Sequence, residues 1–176
     1  MTETTFQPSN KYRIGKRRIL AAILDSFLIF VPFIAITSNA STFGNYTLIA
    51  WMVTLQPLVQ ISYSVLCHYF YGQTLAKSVL NIKVIDVSED SKITLQQALL
   101  RDSVWIGMAL LTIINNLFPE IGFIYENPII GFIATLVQSF GSIWIILELV
   151  TMFTNKKRRS LHDYMAGTVV VKVQEV

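Results

Sequence analysis

The stretch KRRILAAILDSFLIF, residues 16–30, decides the fold class of this chain. Three basic residues lead directly into an apolar run, and a single carboxylate, Asp25, stands inside that run. A membrane-spanning helix needs about 20 largely apolar residues to cross a hydrocarbon core of about 30 Å. The stretch therefore predicts a first membrane span, and it raises the question of what the Asp25 carboxylate contacts.

The composition of the whole chain supports a membrane protein. Of the 176 residues, only 14% are charged and 53% are hydrophobic, whereas a soluble domain carries about 25% charged residues. Apolar runs predict four membrane helices, at residues 19–37, 47–70, 103–118 and 129–153. We expect an all-α membrane protein with one domain over residues 12–173, preceded by a disordered polar tail at residues 1–11.

The positions of the basic residues predict the orientation. All 14 Lys and Arg residues precede the first span, lie between the second and third spans, or follow the fourth. The two remaining loops contain none of them. By the positive-inside rule, both termini and the central loop are cytoplasmic. A cleaved signal peptide is the alternative for the N-terminus, but the apolar run is longer than a signal-peptide core.

The central loop and the tail predict a small cytoplasmic element. Residues 72–82 have the pattern of a short interfacial helix, with Leu75, Val79 and Ile82 on one face. Residues 81–87 and 168–173 alternate like strands, which predicts a small sheet. Thr94 and Gln97 have the spacing of a capping box, so a helix should start there and continue into the third span.

Charged residues inside membrane spans are costly and mark either pairing or function. Asp25 and Glu148 should lie at similar depths in antiparallel helices. Either a shared proton or cation joins them, or each serves packing and bonds to a partner charge or to a Ser, Asn or Gln side chain of a neighbouring helix. Arg18 stands seven residues before Asp25 and shares its helix face, but we expect it to point toward the headgroups. Asp25 then needs another partner, either an ion or a side chain from a set of four: Arg101, Arg158, Arg159 and His162.

Other kinds of chemistry have weaker support in the sequence. Ser160, His162 and Asp163 are triad residue types, but they stand too close together in sequence to indicate a triad. With two histidines and one cysteine, no zinc-type metal site is expected. The basic run at residues 156–159 favours contact with anionic membrane lipids over nucleic-acid binding. We expect no enzymatic activity and no cofactor.

Three motifs resemble the RDD family of small multi-span membrane proteins. The first span is similar to R-x-x-A-x-x-hydrophobic-D, the segment GQTLAK (72–77) is similar to G-x-T-x-G-K with Ala76 in place of the second glycine, and SLHDYMAGTVVV (160–171) is similar to the closing signature. The matching positions are Arg18, Ala21, Asp25, Gly72, Thr74, Lys77, His162, Asp163, Gly167 and Thr168.

This resemblance implies a protein of the bacterial or archaeal inner membrane, that is, the plasma membrane. Some family members are associated with the export of sodium or lithium in exchange for protons. The leading hypothesis is therefore a sodium/proton antiport-like transporter of small monovalent cations, acting as a homo-oligomer. Asp25 would bind the ion or proton, with Glu148 and Asp163 as accessories.

The competing hypothesis is a non-transporting scaffold or accessory protein. Its cytoplasmic loop and tail would bind partner proteins or anionic lipid. On this interpretation Asp25 and Asp163 anchor the tail to the helix bundle through basic partners such as Arg18.

Overall fold

The computed structural model describes residues 11–117 and 128–173, with the side chains of 11–114, 135, 136 and 139–173. The predicted disordered tail, apart from Lys11, and the loop between the third and fourth predicted spans lie outside these residues. The described elements, in chain order, are α1 (Gly15–Thr42), α2 (Tyr46–Tyr71), α3 (Leu75–Val79), β1 (Ile82–Asp86), α4 (Leu95–Leu117), α5 (Pro128–Thr154), α6 (Leu161–Ala166) and β2 (Thr168–Lys172).

Within the described residues, three helices are long and apolar enough to cross a membrane. They are α1, α2 and the Leu95–Ile114 part of α4. Each corresponds to a predicted span, and each extends beyond the predicted bounds at its N-terminal end. The fourth predicted span corresponds to α5, a continuous helix whose fully described apolar part, Ser139–Thr154, is shorter than a span. The count of four spans and the orientation of the termini stay predictions.

The predicted capping box starts α4. The backbone N–H of Thr94 donates to Gln97 Oε1 at 2.9 Å, and the backbone N–H of Gln97 donates to Thr94 Oγ1 at 3.2 Å. These reciprocal bonds satisfy donors that the first turn of a helix leaves free. Because α4 begins at Leu95 and not at residue 103, Arg101 and Asp102 lie within a helix that packs against α2.

The chain turns sharply between α2 and α3 at Gly72. This residue has φ +71°, its N–H donates to the His68 carbonyl, and its own carbonyl accepts from the Val84 N–H at 2.7 Å. A Cβ here would lie 2.9 Å from the Val84 carbonyl oxygen, so both the conformation and the close approach require glycine.

The predicted interfacial helix is confirmed only in part. Leu75 and Val79 of α3 are 58% and 77% exposed. Ile82, however, does not share their face: it is fully buried in β1, because α3 ends at Val79 and the chain becomes extended.

The two predicted strands pair. Strand β1 lies antiparallel to β2, with a register that runs from Ile82 opposite Lys172 to Asp86 opposite Thr168. Ile82, Val84 and Val170 of this sheet pack with Ala21 of α1 in the hydrophobic core. Antiparallel pairs as short as this one need such packing to be stable.

The tightest packing therefore lies at one end of the bundle. In the three candidate spans, only 11%, 6% and 17% of the residues in the most apolar window are buried, which leaves apolar side chains facing outward. We call the elements gathered at the packed end, α3, β1, α6 and β2, the cap. The cap is the part of the described structure in which polar side chains are buried together.

Candidate functional site

Asp163 is the centre of the cap and has no exposed surface. Its Oδ2 accepts hydrogen bonds from Arg18 Nη2 at 2.7 Å and from the Ser160 hydroxyl at 2.9 Å. Its Oδ1 accepts from Arg101 Nη1 and from the Thr168 hydroxyl, the latter at 3.3 Å. The carboxylate thus joins α1, α4 and the tail in a single ion-pair network, which we call the clamp.

The local sequence explains why Asp163 points inward. Ser160 precedes α6 as its N-cap, and Asp163 occupies the third helical position, so the two side chains form a capping box. The Ser160 N–H donates to Asp163 Oδ2 at 3.0 Å. Gly167, at φ +64°, then ends α6 and directs the chain into β2. A helix of six residues therefore holds one carboxylate at a fixed position.

The clamp keeps Asp163 ionised. Burial alone would raise the pKa of the Asp163 carboxyl, but the positive charges of Arg18 and Arg101, acting with His162 and the Ser160 N–H, hold this pKa well below its usual range. A guanidinium does not lose its proton in a protein. The network consequently stays charged near neutral pH.

Arg18 is oriented differently from the prediction. We expected it to reach the lipid headgroups, yet it is only 9% exposed and donates from Nη1 to the Arg158 carbonyl at 2.6 Å and from Nη2 to Ser160 Oγ at 2.9 Å. The tail folds back over the start of α1 and supplies a buried carboxylate at close range, which outweighs the attraction of the headgroups. The bonds found for Arg18 go to the tail and not to Asp25, so the two signature residues act separately.

Asp25 is held by neutral donors. Its Oδ1 accepts from the Tyr63 hydroxyl at 2.7 Å and from the Ala76 N–H at 3.2 Å, and its Oδ2 accepts from the Thr74 hydroxyl at 2.5 Å. Tyr63 in turn accepts from the Leu75 N–H at 2.9 Å. Asp25 therefore caps the start of α3 and ties it to α1 and α2. None of the four partners predicted from the sequence takes this place.

The middle motif fits this arrangement despite its substitution. At position 76 the group that contacts Asp25 is a backbone N–H, which alanine supplies as well as glycine does. Ala76 is itself 8% exposed and belongs to the hydrophobic core. The alanine therefore keeps the backbone contact and adds a buried methyl group.

Glu148 has partners of its own. Its Oε1 accepts from Trp144 Nε1 at 2.8 Å and lies 2.5 Å from His162 Nδ1. These contacts link α5 to α6. The carboxylates of Asp25 and Glu148 thus have different hydrogen-bond partners, and a proton or cation shared between them stays a prediction.

Ser160, His162 and Glu148 lie in the order of a hydrolase triad. Ser160 Oγ is 3.0 Å from His162 Nε2, and Glu148 faces the other ring nitrogen. The chemistry of a triad is not available here, because Arg101 Nη2 donates to the same Nε2 at 3.0 Å and the Ser160 hydroxyl donates to Asp163. Ser160 is also only 2% exposed. A nucleophile needs a free base and access for its substrate.

A second polar cluster lies beside the clamp, and the sequence did not indicate it. Lys77 Nζ lies 2.6 Å from His68 Nε2, His68 Nδ1 lies 3.3 Å from Ser64 Oγ, and Ser64 donates to Asp102 Oδ2 at 2.8 Å. Burial lowers the pKa of Lys77, and Arg101 and Arg18 lower it further, to about 7. His68 is a polar residue in an apolar run, and this was the available sign of the cluster. The spacing of residues along the sequence does not show that α2, α3 and α4 come together.

A glutamate in the turn after β1 links the segment before α1 to the segment after α5. Glu89 accepts from Lys11, Tyr12 and Lys157, the last at 2.8 Å. Burial opposes ionisation, yet these donors lower the pKa of Glu89 to about 2. Among the described residues, no group of three or more His, Cys, Asp and Glu side chains is arranged to hold a metal ion.

Comparison with known proteins agrees with the three motifs. The model of the RDD family matches residues 15–167. The chain is also similar to the uncharacterized membrane protein YteJ of Bacillus subtilis (strain 168), with 27% identity over 144 residues, which are 82% of this chain and 66% of that protein. The chain thus spans slightly less than two thirds of that relative's length. No solved structure matches. The chain belongs to the RDD family.

Proposed function

We propose that this protein is a non-transporting membrane scaffold, in which the signature residues fold the central loop and the tail into one rigid cap. The observation that carries the proposal is the state of Asp163, which has no exposed surface and is held by arginines from two different helices. A buried carboxylate that is held in this way stabilises the fold. The cap would then present its outer face to partner proteins or to anionic lipid.

The surroundings of Asp25 support the same proposal. Each of the three groups bonded to this carboxylate, from Tyr63, Thr74 and Ala76, is a donor whose hydrogen points at it. A cation would have to displace these donors, since sodium and similar ions bind oxygen lone pairs and are repelled by N–H and O–H hydrogens. The structure of this cluster is therefore that of a helix cap.

The position in the cell is part of the proposal. We propose a multi-pass protein of the bacterial plasma membrane with four spans and cytoplasmic termini. The basic residues at the cap end support this orientation. Several of them, Arg13, Lys16, Arg17, Lys156 and Lys157, are exposed, and exposed basic groups beside a span attract anionic headgroups.

Cation–proton exchange by a homo-oligomer is the competing proposal, and a flux measurement separates the two. Purified protein is reconstituted into liposomes that contain a pH-sensitive dye, and sodium, lithium or potassium is added outside. We expect no cation-dependent proton flux from the wild type. Flux that is abolished by Asp25→Asn, while the exposed control Asp90→Asn keeps it and both variants stay folded, would overturn the scaffold proposal.

A further inference from the structure

We propose that Lys77, His68, Ser64 and Asp102 form a proton relay, in which a proton passes between the Lys77 amine and the Asp102 carboxylate through an imidazole and a hydroxyl. The inference goes beyond the scaffold role and does not depend on it. It starts from the geometry of four polar side chains that three different helices, α2, α3 and α4, bring into one continuous hydrogen-bonded chain.

The hydrogen bonds among these four side chains all run in one direction, from Lys77 to Asp102. A charged Lys77 has only hydrogens to offer, so His68 Nε2, 2.6 Å away, must accept. A neutral imidazole then carries its hydrogen on Nδ1, which faces Ser64 Oγ. Ser64 passes its own hydrogen to the Asp102 carboxylate, which only accepts. The two middle groups, His68 and Ser64, therefore each receive one hydrogen bond and give one, as proton transfer between Lys77 and Asp102 requires.

The transfer balances with water as the final proton acceptor. Lys77 gives a proton to His68 Nε2, and His68 gives the proton on Nδ1 to Ser64 Oγ. Ser64 gives its hydroxyl proton to Asp102 Oδ2. At the end Lys77 is a neutral amine, Ser64 again has one proton, and His68 has changed from the Nδ1–H to the Nε2–H tautomer. Asp102, which is half-buried, passes the proton on to water, so the relay as a whole loses one proton.

Burial, and then the charges of Arg101 and Arg18, favour departure of the proton from Lys77, whereas Asp102 and Asp25 oppose it. The charged and titratable groups that act on it are Arg18 and Asp25 of α1, Cys67 and His68 of α2, and Arg101 and Asp102 of α4, while Lys83 of β1 lies over Gly72 next to α3. The two arginines stay charged, so a proton on Lys77 adds a third positive charge to this end of the bundle. Release of that proton through Asp102 removes this third charge.

The location of these four side chains limits the distance over which the relay can move a proton. His68 lies in the last turn of α2, and Asp102 is in the second or third turn of α4, about 10 Å past its start. The relay therefore lies at the cap end and does not cross the bundle. It gives the cap a proton site that changes occupancy near neutral pH, next to the clamp.

The tautomer of His68 tests the relay directly. The full-length protein in detergent micelles is labelled with nitrogen-15 in its two histidine rings and with carbon-13 at lysine Cε, and His162→Gln and Lys77→Arg assign the signals. We expect His68 to be the Nδ1–H tautomer at pH 6 and the Nε2–H tautomer at pH 9. The midpoint should match that of Lys77, near 7.

Two variants of Ser64 separate the relay from a structural contact. Ser64→Ala removes the hydroxyl, so the His68 tautomer should no longer follow the titration of Lys77. Ser64→Thr restores a hydroxyl and should restore the change. The relay is wrong if Lys77 titrates above pH 10, if His68 keeps one tautomer from pH 6 to 9 in the wild type, or if Ser64→Ala leaves the change intact.

Discussion

Replacing Asp163 by asparagine changes a single charged group at the centre of the clamp while keeping the side chain's shape. The amide loses the negative charge and replaces one of the two accepting oxygens by an NH2 group, which then faces either Arg101 or both Arg18 and the Ser160 N–H. Two charge-assisted bonds at about 1.5–3 kcal/mol each give an expected loss of about 3–6 kcal/mol. Breaking a buried ion pair by removing one partner costs about 3–5 kcal/mol, in agreement with this sum.

The loss is measured as the free energy of unfolding in detergent micelles, from a denaturant titration followed by tryptophan fluorescence. Asp90→Asn is the matched control, because Asp90 is exposed and its replacement should cost under about 0.5 kcal/mol. A loss below about 1 kcal/mol for Asp163→Asn would refute the reasoning, since a buried carboxylate between two guanidinium groups cannot then be holding the cap.

Four other changes have expected outcomes in the same unfolding measurement. Arg18→Lys should cost about 1–3 kcal/mol, because lysine lacks the planar fork that reaches several acceptors at once; an unchanged stability would contradict this. Gly72→Ala should cost at least about 1–2 kcal/mol through its left-handed conformation alone, with an added clash of the new Cβ at 2.9 Å from the Val84 carbonyl oxygen; a stabilised variant would contradict it. Tyr63→Phe should cost about 1–3 kcal/mol by removing the hydroxyl that donates to the Asp25 carboxylate and accepts from the Leu75 N–H, and a neutral effect would argue against the capping role of this hydroxyl. Because of Lys77, the free energy of unfolding of the wild type should rise between pH 7 and 9. The unfolded lysine keeps its proton up to about pH 10.4, while the folded one loses it near 7. Lys77→Met should lose this rise, and a rise retained in that variant would contradict the assignment.

Much of the architecture could be predicted from local patterns. Hydrophobic run lengths are enough to find membrane helices, because the bilayer fixes the length that is needed. The alternation at residues 81–87 and 168–173 predicted two strands, which pair as β1 and β2. The Thr94 capping box is equally local, since both of its bonds join residues three apart.

The partners of the charged residues could not be predicted in the same way. Arg18 and Asp163 stand 145 positions apart, so the spacing of neither one indicates the other, and only the resemblance to the family suggested that they pair. Asp25 was expected to contact a cation, a basic residue, or a Ser, Asn or Gln side chain of a neighbouring helix. Its carboxylate is instead satisfied by two hydroxyls and one backbone N–H, which are groups that occur everywhere in the sequence. The bonds that define the clamp arise only when the tail folds back onto α1 and α4.

The central claim is that Asp163 holds the cap on the helix bundle, and hydrogen–deuterium exchange in micelles tests it most directly. Amides of β1, α6 and β2 should exchange slowly in the wild type and in Asp90→Asn. In Asp163→Asn they should exchange much faster and together, while amides in the middle of α1 and α2 stay protected. Unchanged protection of β1 and β2 in Asp163→Asn would contradict the claim.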